Sequence, residues 1–243
     1  MKNHVKITTL QHILDLFYPC YCKGCGKIGD VFCDCCIFYN SRYNPPFLCD
    51  FDPDFRLILA VGLKEGVLEK LVKDYKYHGR RHYALVFGKM LRLAMRELGV
   101  DRTLRETSEK VIVVPLPTVL KHVRQRGFDH MMAIAREFAG LSGFMVLEVL
   151  TRDSNTVQVG SSKLKRKSQA RDAYRVDFEV LGKFSKDSLE KMHFLLVDDV
   201  WTTGASMRSA EQVLRAGLIK MGVNPRKIKI SAMVLMKNSG YEF

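Results

Sequence analysis

The sequence predicts an α/β protein, a parallel sheet with helices on both faces, preceded by a small cysteine-rich module. Three observations carry this. Short runs of branched apolar residues recur along the chain, separated by stretches with helical spacing. The densest run, Val111-Ile112-Val113-Val114, lacks polar alternation, as a strand buried on both faces would. Six of the seven cysteines fall between Cys20 and Cys36. With 243 residues, 47% of them hydrophobic, the chain can bury one substantial core and carry a small appendage.

The elements follow in order. Leu10, Ile13, Leu14 and Phe17 share one face, which predicts an N-terminal docking helix rather than a cleaved signal. Asn44-Pro45-Pro46 punctuates the chain and divides it into a module over 1–46 and a larger domain over 47–243. Beyond that point the pattern predicts a strand over 57–61, helices over 68–77 and 83–98, and a strand over 111–114. A helix over 130–141 and strands over 144–149 and 194–197 come next, then a helix over 205–221 and a closing strand over 228–236. Strands alternating with helices imply parallel pairing, with ligands expected outside the carboxyl ends of the strands. No apolar run is long enough to span a bilayer, so a cytoplasmic protein without a membrane span is expected. The formal net charge of +13 favours polyanionic partners.

Within the module, Cys22-Lys23-Gly24-Cys25 and Cys33-Asp34-Cys35-Cys36 form two Cys-x-x-Cys knuckles. Each can turn two thiolates toward one tetrahedral metal, and two knuckles close a four-ligand shell. Structural Zn²⁺ on Cys22, Cys25, Cys33 and Cys36 is therefore expected. Cys20 and Cys35 offer alternative close pairs, and a disulfide framework is the rival reading. Cysteine is nearly absent elsewhere and no secretory signal is seen, which favours the metal.

The stretch from Leu195 to Ser206, LLVDDVWTTGAS, is the most informative about chemistry. An apolar strand ends in Asp198 and Asp199, and a turn of Thr202, Thr203, Gly204, Ala205 and Ser206 opens a helix. Backbone amides, hydroxyls and the helix dipole at such a corner favour a phosphate, and Gly204 permits a left-handed backbone. The carboxylates lie at sugar distance and can accept from vicinal hydroxyls. A plain helix N-cap with nothing bound is the alternative.

This run resembles the signature for phosphoribosyl pyrophosphate (PRPP) in type I phosphoribosyltransferases. The resemblance implies that Asp198 and Asp199 hold the ribose, that Thr202 to Ser206 hold the 5′-phosphate, and that Mg²⁺ accompanies PRPP. A cysteine module ahead of such a domain resembles the ComF family, phosphoribosyltransferase-like proteins linked to DNA uptake in natural transformation. Asp74-Tyr75-Lys76-Tyr77-His78-Gly79, Val113-Val114-Pro115-Leu116-Pro117 and Arg126-Gly127-Phe128-Asp129-His130 resemble further stretches of that family. By the same resemblance, Pro115, Leu116 and Pro117 with Arg126 form the pyrophosphate loop, helped by Lys121 or Arg124. A cis peptide bond before Pro115 or Pro117 is open to that loop. Lys163, Lys165, Arg166 and Arg171 form a mobile basic lid, with Tyr174 at its exit. Asp129 departs from the family's Asn, and an acid beside a pyrophosphate site would weaken anion binding.

Three classes of function follow: a transferase using PRPP, a component binding single-stranded DNA, or an adaptor docking a helicase-like ATPase of the uptake machinery. The DNA reading would use the basic stretch, with Tyr174 or Trp201 stacking on bases. Core packing is the stronger expectation for Trp201.

Overall fold

The computed structural model describes residues 20–37, 48–50, 54–107, 110–152 and 174–239. The expected N-terminal helix and the four basic lid residues, Lys163, Lys165, Arg166 and Arg171, lie outside the described residues. The strands are β1 (Leu48–Asp50), β2 (Ile58–Leu63), β3 (Lys110–Pro115), β4 (Met145–Val146), β5 (Leu150–Arg152), β6 (Tyr174–Val176), β7 (Met192–Trp201) and β8 (Lys229–Lys237). The helices are α1 (Gly66–Tyr77), α2 (Tyr83–Glu97), α3 (Val100–Thr107), α4 (Leu120–Arg126), α5 (His130–Ser142), α6 (Phe178–Leu181), α7 (Lys186–Glu190) and α8 (Ala205–Lys220).

Six strands form one sheet in the order β1-β2-β8-β7-β3-β4. The five from β2 to β4 in that order run parallel, and β1 lies antiparallel on β2. The strands β5 and β6 pair separately as an antiparallel ribbon.

Side-chain alternation sorts the strand residues into two cores. Leu59, Val61, Val113, Leu195, Val197 and Leu235 pack with α1, α2, α3 and α5 on one face. Ile58, Ala60, Val114, Phe194, Leu196 and Val234 pack with α8 and the ribbon on the other. Both faces are covered, which is why these strands read as continuous apolar runs. Spacing fixes the helical faces as well. Leu68, Leu71, Val72 and Tyr75 form the buried stripe of α1, and Met207, Ala210, Leu214 and Leu218 that of α8.

Two expectations need adjustment. The strand expected over 144–149 shrinks to Met145–Val146, an edge strand paired with Ile112 and Val113. The strand expected over 194–197 runs on to Trp201, because β8 keeps pairing with it at Asp198, Val200 and Trp201. The acidic pair therefore lies inside the carboxyl end of β7 rather than beyond it.

No helix among the described residues is long and apolar enough to cross a membrane.

Candidate functional site

From β3 the chain goes on to β4 at one edge, and from β7 it goes on to β8 on the other side. The strands β3 and β7 are themselves neighbours, with Pro115 opposite Val197. Their carboxyl ends thus form a topological switch point, the place where open α/β sheets leave a crevice. A cleft of about 390 Å³ opens there. Leu116, Pro117 and Arg126 line it from the β3 side, and Asp198, Asp199 and Ser206 from the β7 side. Sequence reasoning had named all six.

Adjacent positions of a strand point to opposite faces, and the two aspartates meet different surroundings. Asp199 is 8% exposed. Its Oδ2 is 2.8 Å from His130 Nε2 and also in contact with Lys76 Nζ. Burial would raise this carboxyl, but the His130 hydrogen bond and the Lys76 charge outweigh it and hold Asp199 below the usual carboxylate range. Asp198 has no such ion pair among the described residues. Its Oδ1 accepts the Asp199 amide at 2.9 Å. Burial, reinforced by the Asp199 charge, raises Asp198 to about 7. The two carboxylates are therefore unequal, one held by the Lys76 ammonium and the His130 ring and one raised to about 7.

The turn that follows has the form required of an anion cradle. Gly204 sits at φ 73°, at the N-cap of α8, with no side chain capping the helix. Two physical reasons demand glycine here. Its backbone is left-handed, and a Cβ would meet the Trp201 ring at 2.5 Å. Trp201 is 1% exposed and packs edge-on against Phe55, so it is a core residue that shapes the turn from below. Ala205 N donates to Thr203 Oγ1 at 3.4 Å. Among the described residues, no protein acceptor takes the amide protons of Thr202, Thr203, Gly204 or Ser206. Thr202 and Thr203 are exposed beside the cleft, whereas Ser206 lines it.

Opposite, Pro115 is buried at the end of β3, and Leu116 N donates to Val197 O at 2.9 Å. That bond sets the two strand ends side by side. No peptide bond among the described residues is cis. Arg126 turns inward, with Nη1 3.1 Å from His130 Nδ1 and its guanidinium over the Tyr77 ring. Lys121 and Arg124 are exposed and do not line the cleft. The Asp129 carboxylate caps α5, with Oδ1 accepting from the amides of Met131 and Met132 at 3.0 and 3.1 Å.

Several lining residues were not assigned to the site from sequence, among them Lys76, Thr118, His122, His130 and Arg152, and Tyr174, expected at the exit of the basic lid, lines the cleft with them. In sequence, Lys76 and His130 stand within the Asp74 to Gly79 and Arg126 to His130 stretches, with no role in the site expected of either. Arg152 stacks on Tyr174, its cation 5.3 Å from the ring centroid. Burial raises the Tyr174 phenol, and Arg152 partly offsets this.

At the opposite end of the chain, the sulfurs of Cys22, Cys25, Cys33 and Cys36 all lie within 4.8 Å of one another. Tetrahedral coordination with arms near 2.3 Å has edges of about 3.8 Å. The Cys25–Cys33 sulfur separation is 3.7 Å. The amides of Gly24 and Cys33 each donate to Cys22 Sγ at 3.4 Å. Burial would raise Cys22, but amides from Cys33, Cys25 and Gly24 bring it down to about 6, toward the metal-binding thiolate. Burial and the neighbouring sulfurs of Cys25, Cys22 and Cys33 push Cys36 up. Gly24 is needed for that crowding, since a Cβ would meet Cys36 Sγ at 2.7 Å. This cluster can hold a metal ion. Cys20 and Cys35 are exposed and lie outside it.

Compared with models of known protein families and with curated proteins, the chain matches none.

Proposed function

We propose that the cleft binds PRPP together with Mg²⁺, as a phosphoribosyltransferase-like protein of the ComF type linked to DNA uptake. One observation carries the reading. A glycine turn with unengaged amides meets a buried carboxylate at the switch point, across the cleft from the turn after β3.

In this reading the turn from Thr202 to Ser206 receives the 5′-phosphate. Asp198 accepts from the ribose hydroxyls, and Asp199 holds the Lys76 charge beside them. Leu116 and Pro117, with Arg126, border the pyrophosphate. Mg²⁺ bound with PRPP would supply positive charge that favours the departure of pyrophosphate. Transfer breaks the bond from the anomeric carbon to pyrophosphate, the electron pair leaving with the oxygen, as an acceptor bonds to that carbon. Fixed cations around the leaving group favour that charge separation. The four cysteines hold a structural Zn²⁺.

Titration calorimetry with PRPP and Mg²⁺ tests the reading. The wild type should bind, and Asp198→Asn, checked for an unchanged fold, should bind at least tenfold more weakly. Equal heats would reject it.

A second reading draws on Tyr77, which is 70% exposed with the Arg126 cation 5.7 Å from its ring centroid. An exposed ring flanked by cations can stack a base of single-stranded DNA. That reading requires affinity falling steeply with salt, and a flat response removes it.

A further inference from the structure

We infer that His130 is a positioning residue of the cleft, fixing the carboxylate of Asp199 and joining it to the turn after β3. The inference rests on the PRPP reading and deepens it by one residue.

His130 opens α5 and is 5% exposed. Its Nε2 lies 2.8 Å from Asp199 Oδ2. Its Nδ1 lies 3.1 Å from Arg126 Nη1 and 3.1 Å from Thr118 Oγ1. A guanidinium can only donate, so Nδ1 accepts and the ring proton sits on Nε2, where it donates to Asp199. The Thr118 hydroxyl has one proton, which it shares between Nδ1 and Asp129 Oδ1, each 3.1 Å away. Behind the ring, the Tyr75 phenol donates to the His130 carbonyl at 2.8 Å.

The imidazole is thus held from α4, β7 and the turn after β3, and the backbone that carries it from α1. With both nitrogens engaged it has no proton to offer a ligand, so its influence passes through Asp199. Lys76 cannot replace it in this role. An ammonium on a four-carbon stem supplies charge but little direction, whereas a ring anchored at one nitrogen aims the other. Thr118 borders the cleft beside Pro117. One ring therefore sets the acidic wall of the cleft relative to the opposite wall.

A double-mutant cycle decides the matter, using His130→Leu, His130→Gln, Asp199→Asn and the pair His130→Leu/Asp199→Asn. Binding of PRPP with Mg²⁺ is the readout, and thermal unfolding checks the fold. His130→Leu should weaken binding at least tenfold. His130→Gln, which keeps a donor near the Nε2 position, should recover it to within about threefold of wild type, following the isosteric logic of conserved donors. In the Asp199→Asn background, His130→Leu should add almost nothing. Additive losses, or a Gln variant as weak as Leu, overturn the positioning role while leaving PRPP binding in place. A wild type that binds no PRPP overturns the reading of the cleft, and the positioning role falls with it. Nitrogen chemical shifts give an independent check: a protonated Nδ1 in the wild type would contradict the assigned tautomer.

Discussion

Gly204 compresses much of the site into one residue. A methyl group there would have to occupy a left-handed conformation and displace the buried Trp201 ring. Left-handed strain and overpacking each cost about 1–3 kcal/mol, so Gly204→Ala should lower unfolding free energy by roughly 2–4 kcal/mol in urea titrations. Titration gives a second residue-level test. His193 is buried at the start of β7, with Nε2 2.8 Å from Ser231 Oγ, and burial lowers its imidazole from 6.5 to about 3. The unfolded chain then takes up a proton that the native state refuses. This contribution to stability is complete above the unfolded pKa and is lost as pH falls through the folded one. Asp198 has the opposite sign. Raised from 3.8 to about 7, its native carboxyl stabilises the fold when protonated, and that contribution is lost as pH rises through 7. Between pH 3.8 and 6.5 the two slopes oppose each other. Asp198→Asn removes one, so its unfolding free energy should climb with pH by up to about 1.4 kcal/mol per unit more than the wild type's. Parallel curves would show that Asp198 titrates ordinarily. Asp198, Gly204 and Ser206 were legible in sequence because strand, turn and helix are contiguous there. His130 and Lys76 were not, because the fold brings them to Asp199 from 69 residues away in the case of His130.

At the level of elements, legibility followed burial. The helices α1, α2, α5 and α8 carry continuous apolar stripes, and their sequence bounds agree with the structure to within about two residues, the usual spread of end assignments. The helix α4 buries none of its side chains, so it left no periodicity to read. The ribbon of β5 and β6 was missed for another reason. Its two three-residue strands are far apart in sequence, and neither is long enough to show alternation. The same contrast predicts energetics. Leu214 of α8 is fully buried, so Leu214→Ala should cost about 2–5 kcal/mol of stability. Leu120 of α4 is 52% exposed, and Leu120→Ala should fall within about 0.5 kcal/mol of wild type. Denaturant midpoints at constant slope provide the comparison. A large loss at Leu120 would mean that α4 packs against something beyond the described residues.

For the whole molecule, the question is whether the cysteine cluster is an independent appendage. Cys22, Val31, Phe32 and Ile37 belong to the same buried cluster as α2, α5 and one face of the sheet. Asp34, between the two outer cysteines of the second knuckle, forms a 2.8 Å ion pair with Lys89 of α2. That exposed pair contributes little by itself, so attachment depends on the apolar contacts. A metal on the four sulfurs would stabilise the native state by mass action and fix the backbone that presents Phe32 and Ile37. Its removal should therefore weaken the core shared with α2 as well as the module. Calorimetric scans before and after chelation should show the main unfolding transition moving down by several degrees while remaining single, and Cys36→Ser should reproduce the shift with loss of stoichiometric zinc. The opposite core, between the sheet and α8, holds none of the four cysteines. If chelation instead splits off a small early transition and leaves the main one in place, the module folds on its own and the shared apolar cluster does not couple it to the sheet.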